Sequence, residues 1–149
     1  MPRKLAMLAA LVAVFVLGFT QTASASITRY AEFSTAGRGA AGYATATMAV
    51  TWNSASNADI GASITDHCPA NGLGAYLHLR LRTSGGAYYG LGTSPVADGC
   101  DTTRSGYVTS VAGLYGRISH IDGRLCEEDR DGNQASICTV WKAIDNPYT

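Results

Sequence analysis

Apolar and polar residues alternate with a period of two along most of this chain, which is the signature of half-buried β-strands. From Tyr43 to Trp52, Ala44, Ala46, Met48, Val50 and Trp52 share one face, and Thr45, Thr47 and Thr51 share the other. Ile60, Ala62 and Ile64 alternate in a second strand that ends near Cys68. The clearest strand runs from Ala75 to Arg82. There Leu77, Leu79 and Leu81 point inward, and Tyr76, His78, Arg80 and Arg82 point outward. Ser84-Gly85-Gly86 is a turn signal, and Ala87 to Leu91 returns as the hairpin partner.

The later part is less regular. Thr93 to Gly106 reads as a Gly/Asp/Ser-rich connection around Cys100. Tyr107 to Ile121 is extended in character, with Gly113 and Gly116 as bulges within it. Asp122-Gly123 is a two-residue hairpin turn signal. A charged loop, Glu127 to Gln134, precedes a last strand, Ala135 to Ala143. No segment carries a 3.6-residue apolar period. The expected fold is therefore all-β: a small antiparallel β-sandwich or barrel of six to eight strands.

The first 25 residues stand outside that fold. Arg3 and Lys4 precede an apolar run from Leu5 to Phe19, followed by Thr20-Gln21-Thr22 and the Ala23-Ser24-Ala25 site. A positive start, an apolar core and an A-x-A site are the parts of a secretory signal peptide. The run is short of the roughly 20 residues that span a bilayer, and no Lys/Arg stop-transfer cluster follows it. Cleavage after Ala25 is expected, giving a secreted protein with no membrane attachment.

Residues 26–42 form an N-terminal segment and linker, and residues 43–149 the β-domain. Ile27, Arg29, Ala31 and Phe33 alternate along the segment, and Thr35 to Gly42 is a small-residue linker. Two expectations follow from that layout. The segment is either the first strand of its own domain, with Ile27 and Phe33 buried, or a strand donated to a partner. In the second case Ile27, Arg29, Tyr30 and Phe33 are contact residues.

Export changes how the four cysteines are read. Cys68, Cys100, Cys126 and Cys138 are expected to form two disulfides, paired Cys68–Cys100 and Cys126–Cys138 because each then ties neighbouring strands. They lack the C-x-x-C spacing of a zinc site. The whole chain carries 11 basic and 11 acidic residues. Loss of Arg3 and Lys4 with the signal leaves a slight acidic excess, so nucleic acid is not an expected partner.

Catalytic and metal signals are weak. The sequence holds neither a G-x-S-x-G elbow nor an H-E-x-x-H, and His67, His78 and His120 read as surface or turn histidines. Glu127-x-Asp129-x-Asp131-Gly132 resembles the start of a calcium loop, but the twelfth position is Cys138 rather than a bidentate Glu. The loop therefore reads as a solvated hairpin tip. No catalytic site, metal or cofactor is expected.

The remaining candidate is the stripe of Tyr76, His78, Arg80 and Arg82, which reads either as the solvated outer face of a sheet or as a face suited to an anionic or acidic partner. Asp66-His67-Cys68-Pro69, Gly99-Cys100-Asp101 and the ending Cys138-Thr139-Val140-Trp141 with Asp145-Asn146-Pro147 resemble small exported two-disulfide β-domain proteins of actinobacteria. In size, export and N-terminal segment the chain is similar to the small adaptor subunits of umbrella-shaped secreted toxin particles. That resemblance implies a non-catalytic connector between larger subunits. The expected function is a secreted, non-enzymatic module binding another secreted protein. The alternatives are an inhibitor of secreted proteases, presenting the Thr93–Gly106 connection, and a small extracellular hydrolase using His78 or His120.

Overall fold

The computed structural model describes residues 25–37, 42–67, 73–128 and 136–149. Its strands are β1 (Ile27–Ser34), β2 (Tyr43–Trp52), β3 (Asn57–His67), β4 (Gly74–Thr83), β5 (Tyr88–Thr93), β6 (Thr102–Ala112), β7 (Ile118–Glu128), β8 (Ile137–Cys138) and β9 (Lys142–Asp145). One antiparallel sheet has the order β1-β2-β3-β6. The other has the order β5-β4-β7-β8, with β9 pairing the opposite half of β7. The two sheets pack as a β-sandwich.

The core follows the alternation. Ala44, Ala46, Met48, Val50 and Trp52 of β2 are buried against Leu77, Leu79 and Leu81 of β4 and Ile121 and Leu125 of β7. Burying each such leucine or isoleucine contributes roughly 1.5–3 kcal/mol. The Thr residues of β2 and the His and Arg residues of β4 fall on the two outer faces.

Four expectations are corrected by β6 to β9. Asp122-Gly123 is no turn but the middle of β7, where Gly123 pairs with both Leu79 and Lys142. A Cβ on Gly123 would lie 2.9 Å from Met48 Sδ and 3.1 Å from Phe33 Cζ. The glycine serves close approach of the two sheets rather than a bend. The turn lies earlier, between β6 and β7, where Gly113 and Gly116 adopt φ of 65° and 72° instead of forming bulges. The left-handed backbone needed there is what glycine supplies without strain.

Glu127 is likewise not on a solvated tip. It is a core-side residue of β7, fully buried, and its Oε1 accepts from the Ala44 amide at 3.2 Å and from the Thr35 hydroxyl. Asp129 and Asp131 of the acidic loop lie outside the described residues. The last strand is split into β8 and β9. At the break, the Thr139 amide donates to the Leu125 carbonyl at 2.8 Å, the Thr139 hydroxyl oxygen accepts from the Leu125 amide at 3.1 Å, and Trp141 is carried over the outer sheet face.

The N-terminal segment is seated in its own sandwich. β1 pairs with β2 along its whole length, from Ile27–Trp52 to Ser34–Thr45. Phe33 is 3% exposed and packs in the core, whereas Ile27, at the far end, is 38% exposed. The Thr93–Gly106 connection is shorter than expected because β6 begins at Thr102. Ala97 is bridged to Ala75 by backbone bonds of 2.8 and 2.9 Å, which holds this connection against β4. Cys126 and Cys138 form a disulfide. Cys100 is also disulfide-bonded; Cys68, its expected partner, lies outside the described residues, as do residues 1–24 of the signal segment.

Candidate functional site

The outer face of the second sheet collects most of the polar chemistry. β4 projects Tyr76, His78, Arg80 and Arg82, one every second residue. The antiparallel register sets Cys126, Arg124, Asp122 and His120 of β7 directly opposite them, in that order. Cross-strand pairs at this spacing are in contact.

Arg80 is the centre of this face. Its Nε donates to Asp122 Oδ2 at 2.8 Å. Its guanidinium lies 4.4 Å from the ring centre of Tyr88 and 4.1 Å from that of Trp141. Arg82 approaches Tyr88 at 5.4 Å, and Arg124 approaches Trp141 at 4.8 Å. The Arg124 Nε is buried and has no hydrogen-bond partner among the described residues. Guanidinium groups stacked on aromatic rings lose side-chain freedom before any partner arrives.

A hollow of about 390 Å³ opens beside this cluster, lined by His78, Arg80, Tyr88, Thr93 and Trp141. Gly90 and Gly92 of β5 contribute no side chains to fill it, and a Cβ at either position would meet nothing within 4 Å.

The histidines are tied into the same face. His78 Nε2 lies 3.1 Å from Glu128 Oε1, and the Tyr76 hydroxyl donates to the other oxygen of Glu128. Burial, and secondly the positive charge of Arg124, hold the His78 imidazole below the usual value of 6.5. These two effects outweigh the neighbouring carboxylate. His78, Cys126 and Glu128 bring potential metal-ligating atoms within 4.8 Å of one another. The Cys126 sulfur is committed to Cys138, which leaves His78 and Glu128 as the donors of this group among the described residues.

His120 lies between Ser119 and Asp122, with Nδ1 at 3.3 Å from Ser119 Oγ and Nε2 at 3.5 Å from Asp122 Oδ1. The order of groups is that of a hydrolytic triad, but the wiring differs. The Ser119 hydroxyl donates to the Arg82 carbonyl at 3.0 Å, and Asp122 makes its shorter bond to Arg80. The Ser119 hydroxyl thus has backbone carbonyl acceptors beside the imidazole.

The sequence-predicted residues divide into two groups. Tyr76, His78, Arg80 and Arg82 come together as expected, and Ile27, Arg29, Tyr30 and Phe33 lie on the other sheet. Trp141, Tyr88, Asp122 and Arg124 complete the face and were not anticipated. The alternation of His120, Asp122 and Arg124 is visible in the sequence, but the Asp122-Gly123 turn signal masked it. Comparison with protein families, with curated proteins and with solved structures returned no match to this chain.

Proposed function

We propose that this chain is a secreted, non-enzymatic interaction module, an adaptor that binds another secreted protein through the outer face of β4, β5 and β7. The observation that carries this reading is the clamping of Arg80 between Tyr88 and Trp141 beside an open hollow. Tyr, Trp and Arg are the residues that dominate binding energy at protein interfaces. Here they are held in place by the chain's own contacts, which lowers the ordering cost of association. A disulfide and an A-x-A signal site support work outside the cell. The reading involves no nucleic acid, cofactor or membrane.

The test is affinity capture from the culture medium of the producing cell, using the secreted protein and its Trp141→Ala variant as parallel baits. A larger protein held by the parent bait and lost with the variant supports the module. Equal recovery with both baits, or recovery with neither, contradicts it.

A further inference from the structure

The opposite face of the sandwich has a different chemistry. The outward positions of β1, β2, β3 and β6 fall into rows that run across the four strands. One row is Ser34, Thr45, Thr65 and Thr103; the next is Glu32, Thr47, Ser63 and Ser105. A third is Thr28, Thr51, Asp59 and Ser110. Between the second and third runs a row with no hydroxyl on its two inner strands: Tyr30, Ala49, Gly61 and Tyr107.

We infer that this face is a binding site for a neutral polysaccharide chain. Tyr30 and Tyr107 are 68% and 65% exposed. They stand on the two outermost strands of the sheet, three strand spacings or roughly 14 Å apart. Ala49 and Gly61 leave the floor between them low. The result is a shallow trough with an aromatic wall at each end, long enough for several sugar rings. Tyrosine suits such a ligand because its ring takes the apolar face of a sugar while its hydroxyl meets the wet edge.

The rows beside the trough supply the polar half of the match. Ser63 and Ser105 are hydrogen-bonded at 2.7 Å, Thr65 and Thr103 at 2.8 Å, and Thr28 and Thr51 at 2.9 Å. Each such pair uses one hydroxyl proton internally and keeps one proton and several lone pairs for an outside partner. Hydroxyls that both donate and accept fit a polyhydroxylated chain. Most of these side chains are threonines, whose branched β-carbon restricts rotation, so little freedom is lost on binding. A hollow of about 440 Å³ lies over the first two rows, its lining including Ser34, Thr45, Thr47, Ser63, Thr65 and, at the β1 edge, Lys142.

Charge selects the class of polymer. The rows hold two carboxylates, Glu32 and Asp59, and neither Lys nor Arg. Asp59 accepts from Asn53 Nδ2 at 2.9 Å, and Lys142 comes up at the β1 edge, where its Nζ donates to the Glu32 carbonyl. Apart from Lys142 at that edge, a sulfated or uronic-acid polymer meets no cation on the rows and meets the carboxylates of Glu32 and Asp59, whereas an uncharged glycan meets no opposing charge.

The test is co-sedimentation of the secreted protein with insoluble cellulose, chitin and β-1,3-glucan, together with retardation in gels containing soluble mixed-linkage β-glucan. Binding to at least one of these is expected. Tyr30→Ala and Tyr107→Ala should each weaken it at least fivefold, and the double variant should abolish it without lowering the melting temperature. Thr47→Val with Ser63→Ala should weaken it while both tyrosines remain. Trp141→Ala should leave it unchanged, which separates this site from the protein-binding face. Failure to bind any of these glycans, or full binding by the double tyrosine variant, overturns the inference.

Discussion

Arg80 Nε donates to Asp122 Oδ2 at 2.8 Å across neighbouring strands, and the Asp122 side chain is only 5% exposed. A carboxylate this deep needs its cation, because an uncompensated buried charge is costly. Among the described residues, Arg80→Ala leaves Asp122 with the His120 imidazole, its Nε2 3.5 Å from Asp122 Oδ1. The expected loss is about 2 kcal/mol of folding stability, read from urea denaturation. Asp122→Asn should cost less, since it removes the charge as well as the bond. An Arg80→Ala variant as stable as the parent would show that the pair contributes nothing.

Gly123 makes a second, purely steric prediction. Its missing side chain is the space occupied by Met48 and Phe33, at 2.9 and 3.1 Å from where a Cβ would stand. Gly123→Ala should destabilise the sandwich by about 1–3 kcal/mol, as overpacked cores do. Combined with Met48→Ala, the change should cost less than the sum of the two single variants, because the Met48 sulfur is the nearest obstacle. A Gly123→Ala protein with an unchanged melting temperature would mean the sheets are not closely apposed there.

His78 gives stability a pH dependence. Burial and Arg124 keep its folded-state value below 6.5, so near and below that pH the unfolded chain binds more protons than the folded one. Stability therefore falls as pH drops through 6.5 toward the folded-state value, and is free of this penalty above it. His78→Gln should flatten that portion of a melting-temperature profile. An unaltered slope in the variant would place the titrating group elsewhere.

The N-terminal strand offers a test by contrast along one segment. Phe33 is 3% exposed and Ile27 is 38% exposed. Phe33→Ala should cost about 3 kcal/mol, the scale of a core phenylalanine. Ile27→Ala should cost well under 1 kcal/mol, as surface changes do. Deletion of residues 26–34 should lower the melting temperature sharply, because it removes Phe33 from the core and bares the edge of β2. Unchanged stability after that deletion would show that the strand is dispensable to its own domain.

What the sequence revealed depended on how cleanly each strand separates its two faces. β2 and β4 were legible because every inward position is apolar and most outward positions are Thr, His or Arg. β7 was not. Its inward set of Ile121, Gly123, Leu125 and Glu127 mixes a glycine chosen for clearance with a buried acid bonded to Thr35 and Ala44. That mixture breaks the binary pattern and imitates a turn followed by a loop.

The candidate site divides along the same line. Tyr76, His78, Arg80 and Arg82 share one strand, so their common face follows from period two alone. Trp141 and Asp122 join them through the β4–β7 register and the break between β8 and β9, which depend on long-range pairing. The threonines of β2 were visible as a polar face, but their hydroxyl partners on β3 and β6 required the register of both pairings.

The most direct measurement of the central proposal is the affinity of the secreted protein for its captured partner, determined by calorimetry with parent, Trp141→Ala and Tyr30→Ala chains. Trp141 clamps Arg80 and orders Arg124. Its removal should weaken binding at least tenfold, or about 1.4 kcal/mol, while Tyr30→Ala, on the other sheet, should bind like the parent. Parent-like affinity in the Trp141→Ala chain would contradict the assignment of this face.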